Sequence, residues 1–145
     1  MLSSDVDGGA AAIRSLKDLL DLLDKGPEPS DTPAKLAALG SQFATLHLRE
    51  EAPKLARCVD EVIAPGMPAA TRQGVAKSIR EFGARLQVMR EGLGKQIERI
   101  PALRARKAPW SEALIGLEAE VQRYDMTLQI AQSTAEAEAN RAAAK

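Results

Sequence analysis

Cysteine and histidine are nearly missing from this 145-residue chain, which holds one of each, Cys58 and His47. A single thiol excludes an intramolecular disulfide. One thiol and one imidazole also exclude the His/Cys-rich metal sites and leave little material for a Cys/His or Ser/His catalytic pair. Aromatics are scarce at 3%, so the stacking platforms used to bind single-stranded nucleic acid are not available. Long apolar runs are missing too. Leu19-Leu20 and Leu22-Leu23 are cut by Asp18, Asp21 and Asp24, whereas a membrane span needs about 20 apolar residues in succession. The first nine residues carry Asp5 and Asp7 but no Lys or Arg, unlike the positive start of a secretory signal. The expectation is a soluble, cytoplasmic protein with no membrane span, no metal and no cofactor.

What the chain does have is 45% hydrophobic and 28% charged residues, a composition that suits one globular domain over residues 1–145. Prolines and glycines divide it into four blocks with helical periodicity and almost no strand-like alternation. In the first, over about residues 4–25, Ile13, Leu16, Leu20 and Leu23 step by three, four and three, and Gly26-Pro27 stands where a helix would stop. Thr32 and Pro33 suit the start of the second, in which Leu36, Leu39, Phe43 and Leu46 repeat the same steps. Pro53 falls within that block, and a proline inside a helix removes a backbone hydrogen bond and clashes with the preceding turn. A helix over 32–64, kinked or broken near residues 49–52, is therefore expected.

The third block is the clearest. Val75, Ile79, Phe82, Leu86, Met89, Leu93 and Ile100 alternate by four and three from residue 68 to 100, with Gln96 the one polar member. That is a heptad seam. The fourth block answers it with Leu114, Leu117, Val121, Tyr124, Leu128, Ala131 and Ala135. With residues 101–108 as a short connection, the fold expected is all-α: an antiparallel helical bundle of about four helices, with coiled-coil character and a long C-terminal helical hairpin. Toward the end the seam thins to Ala131, Ala135, Ala139 and Ala142. Residues 133–145 thus read as a frayed or protruding tail, or as a close contact with another chain, with the solvated tail favoured.

Charge is distributed unevenly. Residues 1–31 carry a net −4, residues 32–64 zero, residues 65–108 a net +7 and residues 109–145 a net −3. The positive segment suits an anion-binding role in nucleic acid or acidic-protein recognition, or it is neutralised within the chain by pairs such as Arg90 with Glu118. The intramolecular reading is favoured. Nucleic acid is disfavoured because no groove-reading module is recognisable.

One stretch stands apart. Arg99, Arg104, Arg106 and Lys107 meet no acidic residue before Glu112 and fall at or in the connecting loop, next to Trp110. These five are the candidate partner-binding residues, since a loop held by a rigid hairpin often carries binding function and an exposed Trp makes a hot spot. Trp110 equally suits an anchor for the loop. Gly92-Leu93-Gly94-Lys95 has the look of a phosphate loop, but Met89 stands where the first glycine is required and no strand precedes it. Cys58 reads as a buried small hydrophobe. His47, beside Glu50 and Glu51, supports only a remote enzymatic alternative, because no motif supplies a nucleophile.

The Ala/Arg/Leu-rich hairpin resembles many unrelated bacterial and phage proteins, and none of its motifs is specific to a family. The function expected is therefore that of a non-enzymatic helical protein–protein interaction module, such as an assembly or secretion accessory factor, a phage structural protein or an inhibitor. Its partner would be another protein, with an acidic surface, or a second copy of the chain. An anion-binding regulator using residues 72–107 is the first alternative, and a small enzyme using His47 the second.

Overall fold

A computed structural model describes residues 3–25, 31–46, 48, 51–106 and 108–144, with side chains from residue 6 onward. Among these residues there are five α-helices and no strand: α1 (Ser3–Lys25), α2 (Thr32–Thr45), α3 (Glu51–Val62), α4 (Ala69–Arg104) and α5 (Ser111–Ala143). The all-α expectation holds, and the second sequence block accounts for the fifth helix. Of the kink or break expected there, the structure has a break: α2 ends at Thr45, Leu46 is extended at φ −83° and ψ 128°, and a separate helix α3 begins at Glu51. Pro53 then lies in the first turn of α3, where its missing N–H has no intrahelical bond to lose.

Residue contacts gather into two compact units, one of residues 1–47 and 89–126, the other of residues 48–88 and 127–145. In the first unit, α1 contributes Val6, Ala12, Leu16, Leu20 and Leu23 to the interior, and α2 contributes Leu36, Leu39 and Phe43. To the same interior α4 contributes Met89, Leu93, Ile100 and Leu103, and α5 contributes Leu114, Leu117, Val121 and Tyr124, with the Phe43 and Tyr124 rings 5.8 Å apart. The two long helices are antiparallel here, since Arg90 faces Asp125 and Arg104 faces Glu118. This replaces the expected pairing of Arg90 with Glu118. Gln96 is buried in the seam, and its Oε1 accepts from Arg99 Nη1 at 2.8 Å.

Pro101 does not end α4, which runs on to Arg104 and shortens the connection to residues 105–110. Leu103, 1% exposed, anchors the added turn, and Ala105 N donates to Pro101 O at 3.1 Å. A proline costs one hydrogen bond to the preceding turn, and the buried leucine offsets it.

In the second unit α4 and α5 are again antiparallel, with Gln132 Nε2 donating to Gln87 Oε1 at 2.5 Å and Gly83 opposite Ala135. Its interior is made by Leu55, Val59 and Val62 of α3, Ala76, Ile79 and Leu86 of α4, and Leu128 with four alanines of α5. Val75 and Phe82 of the expected seam are only part-buried, because Ala76 and Gly83 take the inward positions beside them. Cys58, expected inside, is half-buried. The tail also differs from expectation: α5 continues to Ala143, and Ala135, Ala139 and Ala142 are no more than 1% exposed. Their small side chains fit a close helix approach that larger residues would prevent.

Among the glycines, the tightest approach in the first unit is at Gly9 of α1. A Cβ there would collide with the Tyr124 hydroxyl and lie 2.9 Å from Met89 Cε. Around Gly94 of α4, by contrast, a Cβ would meet nothing within 4 Å. The two glycines should respond to alanine in opposite directions. Gly94→Ala is expected to stabilise by about 0.5–1 kcal/mol through helix propensity. Gly9→Ala should destabilise by about 1–3 kcal/mol, because overpacking outweighs that gain. Urea unfolding of both variants checks the sign, and equal shifts would contradict the close approach.

Candidate functional site

The candidate residues around the α4–α5 connection lie in the first unit, where the three arginines face partners of their own chain and Trp110 is buried. Arg99 Nη2 reaches Asp21 Oδ1 at 2.8 Å and Asp24 Oδ2 at 2.7 Å, both on α1. Two turns of α1 carry those aspartates at i and i+3, so both carboxylates share one face. Arg106 Nη2 lies 3.2 Å from Asp24 Oδ1, and its Nη1 donates to Leu23 O at 2.8 Å. That carbonyl belongs to the last turn of α1, whose end has no intrahelical donor and carries the negative pole of the helix dipole. Arg104 pairs with Glu118, a carboxylate that is 8% exposed overall. Trp110 is 2% exposed and anchors the loop. Lys107 falls outside the described residues.

The expected basic surface is therefore largely spent inside the unit. Arg104 and Arg106 remain 42% and 44% exposed at their side chains, but each already faces a carboxylate. The surplus charge of residues 65–108 answers the acidic first block through Arg99 and Arg106 and the acidic fourth block through Arg90 and Arg104. The hydrogen bond from Arg99 holds the Asp21 carboxyl below the usual carboxylate range, outweighing the opposing effect of burial.

No family model matches the chain, and neither a curated protein nor a solved structure is significantly similar to it. Functional evidence therefore comes from the geometry alone. Among the described residues, no group of three or more His, Cys, Asp or Glu side chains is placed to hold a metal ion. No described helix is long and apolar enough to cross a membrane. His47, the basis of the enzymatic alternative, lies outside the described residues. Gly92 and Gly94 are both helical, as a phosphate loop would not be.

Sequence reasoning overlooked a different feature of α5 in this unit. Opposite the buried row of Leu114, Leu117, Val121 and Tyr124 runs an outward row at 115, 119, 122 and 126, spaced four, three and four. Ile115 is 50% exposed and Met126 62% exposed, with Ala119 and Gln122 exposed between them. No member of this row is charged. The signal was present in the sequence, but the stronger inner seam of the same block obscures it.

The ion pairs give two expected outcomes. Reversing Arg104 and Arg106 together to Glu should destabilise the protein by more than about 1.5 kcal/mol, because Glu118 loses its only described guanidinium while nearly buried. Ordinary exposed positions would give no more than about 0.5 kcal/mol, and such a result in chemical unfolding would return these arginines to solvent. The lowered pKa of Asp21 means that its pairing stabilises the fold above the carboxylate's unfolded-state pKa and is lost as pH falls through the lower folded value. Arg99→Ala should thus lower Tm at pH 7, with the gap to wild type closing in the acid range below about pH 4. Carboxyl NMR should show the Asp21 titration moving upward in that variant.

Proposed function

We propose that this protein is a non-enzymatic helical interaction module that docks another protein through the outward row of α5 in the first unit. The observation that carries this reading is the uncharged stripe Ile115, Ala119, Gln122 and Met126, with its two large members at least half exposed. Single exposed apolar residues are ordinary on protein surfaces. Two at matching register on one helix, separated by small or neutral residues, offer the i, i+4, i+7 and i+11 anchors that a partner helix uses. Met adds an adaptable contact, since its thioether side chain conforms to irregular surfaces. The acidic-surface partner suggested by the basic loop draws less support, because Arg99, Arg104 and Arg106 already face carboxylates of their own chain. An apolar helical partner fits the geometry better.

Site-specific photo-crosslinking in cells of the source organism tests this. A photoreactive residue at position 115 or 126 should yield the same discrete adduct, while one at exposed Lys17 on α1 should not. Ile115→Asp combined with Met126→Asp should abolish association with the crosslinked protein and leave folding stability within about 0.5 kcal/mol. Identical adducts from all three positions, or none from any, would remove this face from consideration.

A further inference from the structure

In the second unit, the end of α5 is held differently from the rest of that helix. Beyond Leu128 every inward-facing residue is an alanine: Ala131, Ala135, Ala139 and Ala142 are between 0 and 7% exposed. Alanine keeps the segment helical but offers one methyl group per position to its neighbours. Directional contacts supply the remainder of the hold. Arg141 Nη1 lies 2.6 Å from Asp60 Oδ1 of α3, and its Nη2 donates to Ala56 O at 3.1 Å. The guanidinium is positioned by Glu138, one turn earlier at 2.6 Å. At the helix end, Arg72 Nη1 of α4 donates to Ala144 O at 2.7 Å.

These ties are open to solvent. The Asp60 side chain is 64% exposed and that of Arg141 is 37% exposed, so salt or a competing anion reaches the pair. Beside the segment an open groove of about 420 Å³ runs between α4 and α5, lined by Ala139 together with Ile79 and Gly83. Ile79 is only 4% exposed. Lifting the alanine face would uncover it.

We infer that residues 133–144 form a releasable strap over α3 and α4, latched by Arg141 on Asp60, and that its release exposes the apolar α4 face around Ile79. A segment with little apolar burial and solvent-accessible polar ties opens at lower free energy than the helices it covers. The device belongs to the second unit and is independent of the α5 docking row described for the first.

Hydrogen exchange followed by mass spectrometry on the full chain tests it. In Arg141→Ala, amides of residues 135–143 should exchange about three- to tenfold faster, the range set by a partly exposed ion pair with added backbone bonds. Amides of α3 and of residues 76–86 should keep their rates, and Arg141→Lys should recover part of the protection. Wild type carried from about 0.01 to about 1 M salt, where screening shortens from about 30 to about 3 Å, should shift the same amides in the same direction. That arm needs no variant to fold. Three results would overturn the strap: α3 and α4 accelerating as much as residues 135–143, no change under either perturbation, or unprotected exchange of residues 135–143 in wild type at low salt.

Discussion

A guanidinium set on the open end of a helix is the polar contact that recurs in both units. Arg106 meets Leu23 O at the end of α1, Arg123 meets the carbonyls of Phe43 and Leu46 at the end of α2, and Arg72 meets Ala144 O at the end of α5. The last carbonyls of a helix have no donor of their own and gather its negative pole. Arginine answers both needs, because it stays charged and carries five N–H groups in a fixed fork. Where a second prong is free it also takes a carboxylate, as Arg106 does with Asp24. In a chain with few aromatics, these contacts locate helix ends that apolar packing alone would leave free to slide.

The same chemistry explains how the overall charge is organised. The +7 of the third block is balanced by the −4 of the first and the −3 of the fourth, and within the first unit Arg99 bridges two aspartates of α1 while Arg90 and Arg104 face Asp125 and Glu118 of α5. The arginines are tools of assembly here.

The all-α class and the α4–α5 hairpin were legible from periodicity, since Leu86, Leu93, Leu114, Leu117 and Leu128 repeat on one face and are buried as that repeat requires, whereas the second block, counted as one helix, forms two. Proline was less informative. Pro53 marks the start of a helix and Pro101 lies inside one, and the outcome depends on tertiary neighbours such as Leu103 that propensity does not see. The alanine tail was misjudged for a related reason: small side chains signal weak burial in isolation, yet they permit close approach when a neighbour offers Gly83. At the candidate site, the basic residues were visible but their partners were not, because Asp24 stands 75 positions from Arg99. Helix-end capping by Arg72 and Arg123 leaves no local pattern at all. Ile115 and Met126 did leave one, on the less hydrophobic side of a helix whose other side dominates the count.

The contact between Gly9 and Tyr124 has a geometric consequence for α1. A helix turns by about 100° for each residue, so sliding α1 by a single position would swing its leucine stripe away from the interior. Gly8, one position earlier, would give the hydroxyl the same clearance, but only in that rotated placement, where Leu16, Leu20 and Leu23 no longer face inward. Moving the other way presents Ala10 and a collision. Of the two placements of this 23-residue helix that set a glycine against the phenolic oxygen, only the one with Gly9 there also buries the leucines.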